Sequence, residues 1–509
     1  MTGRRALLLF MRTAAVGLMN MLTTAIVARL MGAEVLGTIG YLMSLLGTLT
    51  LLSDLGYSKA YVKRAAERDD TGDYTSTFLL IQGFLVAIST LTIVIVPAVG
   101  DWQNKVLSST DRLIAYYLIG LFHVAGMLFS AIQMIFLARL EAARMTLTSL
   151  TGTFLATIAK ITAACQGWGL IGLSGAFALE KLGGLLVGLV FMKRHHQVGC
   201  PKWSILKDFT AYVWPQMALI VSASFVGNLD RVLLGHLGGT VQVGYYVGML
   251  GLLAIPRQLM SSAMRFFFPR VSRDAAHSDY SRMRQRLKGA LKYLLLIIVP
   301  IAGLLIIVRE PLVRIYLGPD FSPAASVAAV LALTVIPNTI ILPYQQVIFA
   351  VEQHRHLLAM NLLGLAVLIV ASSVLIPTLL FGVPVAGLGA LGAAIAVLLK
   401  DTTQCLCVIN FSVRRVGIGL WKGMLWFLLG GSLMVGVGLI PLLRLPNPDL
   451  FSYALAIVLG LSSYLVLLYA VGQLRKTEMV LLWNVVHPLK LLGYIRSELG
   501  TVRLKGIDT

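Results

Sequence analysis

Apolar residues in this chain run in long unbroken blocks, separated by short polar loops that hold most of its charge. A block of roughly 20 apolar residues crosses about 30 Å of hydrocarbon as a helix. Only helices and closed barrels satisfy their backbone in that setting. Barrel strands alternate apolar and polar positions, which these blocks do not, so the pattern predicts a helix bundle. Spans are predicted at about 6–30, 35–58, 75–99, 112–138, 145–164, 170–192 and 209–233, then 242–264, 289–308, 324–350, 356–380, 383–409, 422–442 and 450–471. About fourteen spans, an even number, place both termini on one side. The first block follows Met1-Thr2-Gly3-Arg4-Arg5. It runs too long for a signal peptide, carries Arg12 inside, and shows no small-residue cleavage site before the next span. It reads as a mature helix.

Composition agrees with the pattern. Of 509 residues, 58% are hydrophobic and 13% charged, with a mean hydropathy of +0.84; soluble proteins carry roughly 25% charged residues. The net charge of +20 raises nucleic-acid binding as a reading, but no soluble segment is large enough to carry it. The charge is better explained by its distribution. About 30 of the 42 Lys and Arg fall in the tails and the loops on the N-terminal side, among them Lys59, Lys63, Arg64, Lys202, Lys207, Arg270, Arg273, Arg284 and Lys288. An excess of basic residues marks the cytoplasmic side, where it meets anionic headgroups. Both termini are therefore expected in the cytoplasm, in a multi-pass protein of the inner membrane. The four cysteines, Cys165, Cys200, Cys405 and Cys407, lack metal or redox spacing and read as small apolar residues. In the tail, Met479, Leu482, Trp483 and Val486 recur at helical spacing beside Lys476, Lys490 and Arg496, which predicts a helix in the cytoplasmic interface.

A repeat divides the chain. Leu30, Gly32 and Gly37 match Leu237, Gly239 and Gly244 at a constant offset of 207 positions. Asp73-Tyr74 matches Asp279-Tyr280 at 206, and Gly172-x-x-Gly175-Ala176 matches Gly389-x-x-Gly392-Ala393 at 217. Each repeat holds six spans and so keeps one orientation, a parallel repeat about an axis along the membrane normal. The predicted architecture is all-α: a six-helix lobe over 1–205, a second over 206–415, and two additional helices with a tail over 416–509. Twin lobes around a midplane site suggest alternating access. The same glycines also suit close helix packing.

Charges inside the spans carry the candidate chemistry. A Lys or Arg at a helix centre costs about 2.5–3.5 kcal/mol on insertion scales, so such residues face water, pair with acids or snorkel. They are Arg12, Lys160, Lys181, Arg231, Arg257 and Lys400, with the acids Asp54, Glu180, Asp230, Glu352 and Asp401. Polar stripes accompany them: Arg12, Asn20 and Thr23; Ser149, Thr153, Thr157 and Lys160; Gln216, Ser224, Gly227 and Arg231; Asn338, Gln345 or Gln346, and Glu352. The sequence neighbours Glu180-Lys181, Asp230-Arg231 and Lys400-Asp401 are expected to point apart on a helix and to pair with other helices. A cationic substrate cavity is expected from Arg12, Asn20, Lys160, Arg231 and Arg257, with Asp54, Glu180 and Asp230 as coupling or pairing acids. Arginine offers a fixed fork of donors suited to phosphate oxygens. Lysine snorkelling and structural pairing stand beside that reading.

The segment Ala28-Arg29-Leu30-Met31-Gly32-Ala33-Glu34-Val35-Leu36-Gly37, followed by Ser53-Asp54-Leu55-Gly56-Tyr57, resembles the opening of the polysaccharide flippase family. Asn228-Leu229-Asp230-Arg231, Gly244-Tyr245-Tyr246, Phe268-Pro269-Arg270 and Tyr316-Leu317-Gly318-Pro319-Asp320-Phe321 extend the likeness. The resemblance implies the MOP superfamily, with Wzx-type and exopolysaccharide flippases, the lipid II flippase MurJ and the MATE exporters. It implies twin six-helix lobes and, in the Wzx and MurJ branches, a cationic cavity that flips undecaprenyl-diphosphate-linked saccharides. MurJ has a cavity arginine where this chain has Gly248 and Met249, with Arg257 two turns further on; that departure favours a surface or exported polysaccharide unit over a peptidoglycan precursor. The expected partners are the lipid-linked oligosaccharide, membrane lipids and polysaccharide polymerase or export machinery, with no nucleic acid. No cofactor is expected, and H+ or Na+ are the candidate coupling ions. The alternatives are a MATE-like exporter of organic cations, whose cavity should be acidic, and a membrane polymerase or glycosyltransferase. The short external loops and the lack of a nucleophile or metal constellation argue against an enzyme.

Overall fold

A computed structural model describes residues 2–50, 54–66, 72–98, 109–195, 199–380, 382–415, 417–419, 421–444 and 449–474. Asp101 and the expected interfacial helix at 476–498 lie outside them. The helices are α1 (Thr2–Leu49), α2 (Tyr57–Ala66), α3 (Gly72–Ile95), α4 (Thr110–Ala138), α5 (Ala142–Cys165), α6 (Gly169–His195), α7 (Trp203–Gly238) and α8 (Thr240–Leu250). They continue with α9 (Ala254–Ala276), α10 (Tyr280–Ile307), α11 (Arg309–Tyr316), α12 (Ala324–Ala350), α13 (His354–Leu375), α14 (Gly389–Arg415), α15 (Met424–Arg444) and α16 (Leu450–Ala470). A two-stranded antiparallel hairpin, β1 (Leu379–Leu380) and β2 (Val383–Pro384), joins α13 to α14. Large apolar side chains such as Phe84, Leu186, Trp214, Val370 and Val466 are exposed, as they are in a bundle whose solvent is lipid.

Among the described residues, twelve helices are long and apolar enough to cross a membrane, where about fourteen spans are predicted. The difference has two sources. Spans 1 and 2 run together as α1, whose 48 residues would reach roughly 70 Å if straight, more than twice the hydrocarbon thickness. Gly32 breaks it, at φ 78 and ψ −180, a backbone that a residue with a Cβ rarely adopts. Span 8 is divided instead: α8 has 11 residues, and α9 carries Arg257, Arg270 and Arg273 along its length.

The repeat is legible in the backbone. Gly239, the 207-offset partner of Gly32, has φ 87 and ψ 168, so both repeats turn the chain in the same way at the same place. The two turns bring α1 and α8 together. A Cβ on Gly37 would collide with the Thr240 carbonyl oxygen, and one on Gly244 would collide with the Ala33 carbonyl oxygen. Thr240 and Ala33 are themselves 207 apart, so the contact is reciprocal. Helix pairing repeats as well: α1 packs on α5, α3 on α4, and α4 and α5 on α6, while α7 packs on α13, α10 on α12, and α12 and α13 on α14. The additional helices α15 and α16 pack against each other and onto α10.

The predicted lobe boundary at 205/206 falls inside one hydrophobic cluster. Ile205, Phe209 and Val213 of α7 are buried with Tyr61, Phe78 and Ile135 of α2, α3 and α4. Arg64 donates to the Asp208 carboxylate at 2.7 Å, which ties α2 to the same end of α7. At 36 residues, α7 is long enough to begin against the first repeat and end within the second.

Candidate substrate cavity

Lys160 on α5 and Glu180 and Lys181 on α6 form one charged cluster. Lys160 Nζ lies 3.1 Å from Glu180 Oε2, and Lys181 Nζ lies 2.9 Å from Glu180 Oε1. The approach of the two helices makes this possible: a Cβ on Gly152 of α5 would collide with the Glu180 carbonyl oxygen. Aromatic faces complete the cluster. Lys160 Nζ sits 3.7 Å from the centre of the Phe177 ring, and Lys181 Nζ sits 5.2 Å from that of Phe122 and 5.9 Å from that of Phe129. Ring quadrupoles attract a cation most strongly where water is scarce. The Lys160 side chain is only 5% exposed. One carboxylate therefore serves two ammonium groups, and the cluster keeps an excess positive charge.

Two cavities meet at Glu180. One, of about 260 Å³, is lined by Asn20, Thr23 and Thr24 of α1 together with Phe122, Lys160 and Phe177. The other, of about 440 Å³, is lined by Arg12, Thr13, Phe129, Ser149, Thr153 and Lys181. The second lies toward the start of α1, the end of α4 and the start of α5, which is the end of the bundle carrying the basic loops. The charged side chains lining the pair are Arg12, Lys160, Lys181 and Glu180, three cations against one anion.

The expected site residues divide between places. Arg12 and Asn20 line different cavities of the pair, although both belong to one predicted stripe. In the stripe on α5, Ser149 and Thr153 reach one cavity and Lys160 the other, while Thr157 lines neither. Arg231 and Arg257 also line neither and form a separate group. Arg231 Nε lies 3.3 Å from Asp230 Oδ1, and its Nη2 donates to the Gly227 carbonyl and to Asn228 Oδ1 on its own helix. Tyr246 donates to Asp230 Oδ2 at 2.7 Å, and Arg257 is near enough to act on that hydroxyl electrostatically. Asp54 caps α2: its Oδ1 accepts from the Ser58 backbone N–H at 2.9 Å and from Gln82. Helix capping accounts for this acid, as at many helix starts. Glu352 is exposed in the turn that ends α12.

The expectation that sequence-adjacent acids and bases point apart is overturned in all three cases. Glu180 meets Lys181, Asp230 meets Arg231, and Lys400 Nζ lies 2.9 Å from Asp401 Oδ1. Adjacent Cβ atoms do diverge on a helix. The long stems of Lys181, Arg231 and Lys400 nevertheless bend back to the adjacent acid, even though Glu180 also pairs with Lys160 of another helix, since an unpaired buried charge is costlier than a bent rotamer. Lys181, Phe122 and Phe177 were absent from the predicted site. Phe177 stands one turn before Glu180, the position from which an aromatic residue covers a neighbouring charge, and that spacing was available in the sequence.

The family described as "Polysaccharide biosynthesis protein" matches residues 26–326, more than half of the chain. The chain belongs to this polysaccharide biosynthesis family. A probable low-salt glycan biosynthesis flippase of Haloferax volcanii is 22% identical over 424 residues, 81% of this chain and 83% of that protein. The fold is that of the lipid II flippase MurJ in an inward closed conformation, with a TM-score of 0.67 at 16% identity, covering 91% of this chain and 98% of that one. An inward-facing multidrug MATE transporter of the MOP superfamily also shares it, with a TM-score of 0.62 at 15% identity over 82% of this chain and 94% of that one. These relatives are a flippase and transporters, not enzymes. Within this polysaccharide biosynthesis protein, the family match contains the Lys160–Glu180–Lys181 cluster and both glycine pairs. Arg12 and Asn20 precede it, and Lys400 and Asp401 follow it.

Proposed function

We propose that this protein is a flippase that carries an undecaprenyl-diphosphate-linked saccharide, the repeat unit of a surface or exported polysaccharide, across the inner membrane by alternating access. The observation that carries the reading is the pair of cavities at Glu180, where three cations stand against one anion in a member of a polysaccharide biosynthesis family. An anionic diphosphate gains from such an excess, and charge-assisted hydrogen bonds to it are stronger than neutral ones. An exporter of organic cations would be repelled by the same lining.

In this reading Arg12 and Lys181 receive the diphosphate near the basic end, and Lys160 and Asn20 take it one step deeper. Arg231 and Arg257 form the facing group of the second repeat. Glu180 and Asp230 are the acids through which H+ or Na+ would be coupled. Both termini are cytoplasmic, the lobes are 1–205 and 206–415 apart from the start of α7, and 416–509 is an appendage. The reciprocal contact between α1 and α8 closes the end opposite the basic loops, so the substrate enters from the cytoplasmic side. Polymerase or export machinery receives the flipped product.

The test is complementation of a strain lacking its own flippase for a lipid-linked glycan, with lipid-linked intermediate and membrane abundance measured together. Losing one charged hydrogen bond, worth roughly 1.5–3 kcal/mol, weakens binding about ten- to a hundredfold. Arg12→Ala, Lys160→Met and Lys181→Met should each accumulate the intermediate at normal abundance. Full complementation by all three would end the cationic-cavity reading.

A further inference from the structure

A third cavity, of about 440 Å³, lies outside the candidate site, between α9 and α10. Its walls are Leu259, Ala263, Met264 and Phe267 on one helix and Gly289, Tyr293, Leu294 and Ile298 on the other, and its polar lining is Arg270 and Arg286. The two helices are consecutive and antiparallel, so Arg270 and Arg286 stand together at the basic end while Leu259 and Ile298 mark the far end. From Arg286 to Ile298 the groove is roughly 18 Å deep at 1.5 Å per residue. One leaflet of hydrocarbon is about 15 Å thick, half of a bilayer core. We infer that this groove binds an anionic glycerophospholipid, with one acyl chain between α9 and α10 and the headgroup phosphate on Arg270.

Charge and shape both support that occupant. Arg286 is engaged by Asp274 at 2.5 Å and Arg282 by Asp279 at 3.0 Å. Arg270 is exposed, with no ion pair or hydrogen bond among the described residues. The same two helices also carry Arg273, Arg284, Lys288 and Lys292, and basic residues at a membrane surface attract anionic headgroups. Inside the groove, a Cβ on Gly289 would meet nothing within 4 Å, so the small residue leaves room that a chain can fill. The depth matches one acyl chain of one leaflet and is too short for a polyprenyl tail that spans the membrane.

Native mass spectrometry of the full chain in detergent, with equal dioleoyl-phosphatidylglycerol and dioleoyl-phosphatidylcholine, tests the proposal. The wild type should retain the phosphatidylglycerol by preference. Arg270→Gln should reduce that preference about tenfold, as expected for one charged hydrogen bond. Gly289→Leu should remove retention of both lipids while the lipid-free melting temperature holds, because the added side chain enters open space. Should that variant fold poorly, Tyr293→Trp supplies a second readout: brominated-chain phosphatidylglycerol should quench it, and brominated phosphatidylcholine should quench it less. Equal retention of the two lipids, or unchanged retention in both variants, overturns the proposal. Competition by inorganic phosphate at matched concentration would reduce the site to a simple anion site, and displacement by undecaprenyl phosphate would assign the groove to the transported lipid; either result also overturns it.

Discussion

Glu180 in the first repeat and Asp401 in the second are both carboxylates buried among helices and held by lysine. Glu180 answers two ammonium groups and opens onto a cavity on either side. Asp401 is 4% exposed and takes one lysine, Lys400, and the amide of Asn338 at 2.7 Å. Its charge is balanced and its oxygens are occupied. The cavity that α13 forms with Leu399 of α14 is lined only by apolar residues such as Val370 and Val374, and Asp401 is not among them. The backbones of the repeats correspond closely, down to the geometry of Gly32 and Gly239, because their mutual contact demands the same shape from both. Nothing in that contact constrains the charges inside each repeat. A duplicated frame can thus hold a structural ion pair in one half and an excess of cations in the other.

The contact between the repeats offers the largest expected effect. Gly37→Leu or Gly244→Leu places a side chain against backbone atoms that cannot yield as a side chain would. Overpacking costs typically about 1–3 kcal/mol, and here it acts on the junction of the repeats. Either leucine variant should lower the melting temperature and transport together, measured on the purified protein and by complementation. Full transport by both leucine variants would show that the reciprocal contact is dispensable.

Removing the acids ranks next. Breaking a buried pair by deleting one partner costs about 3–5 kcal/mol. Glu180→Gln leaves two lysines facing each other, whereas Asp401→Asn leaves one lysine beside two amides, so the drop in melting temperature should be greater for Glu180→Gln. Removing the bases should separate the clusters by function. Lys160→Met leaves Glu180 paired with Lys181 and should spare abundance while lowering transport. Lys400→Met leaves Asp401 with Asn338 alone and should lower abundance while sparing transport per molecule. The same phenotype for both lysines would erase the distinction between the repeats.

The smallest effect concerns Asp279, which the repeat pairs with Asp73. Asp73 binds the linker, accepting from the Cys200 backbone N–H at 3.1 Å and pairing with Lys202. Asp279 instead caps α10, and the backbone N–H of Arg282 holds its carboxyl below the usual range, helped by Ser281. A depressed folded-state value means that the capping contribution is present at neutral pH and is lost as pH falls through that value. Asp279→Ala should therefore lower the melting temperature slightly near neutral pH, and the difference from wild type should vanish in acid. A difference that persists in acid would show that the carboxylate is not the source.

The class, the repeat and the identity of the buried charges were determined by the sequence alone. Apolar block length reports the thickness of the surrounding hydrocarbon, and a glycine required by backbone shape recurs wherever the shape does, as Gly32 and Gly239 show. Lys160, Glu180 and Lys181 stood out because any charge in such a block must find a partner or water. Which partner each one found was decided by tertiary structure. Glu180 meets Lys160 only because Gly152 lets α5 reach α6, and Asp54 became a cap only because α2 begins three residues after it. Arg12 was separated from Arg231 because two helices from different repeats carry them. Periodicity orders residues around a single helix, and a binding site depends on the distances between helices, which only their packing fixes.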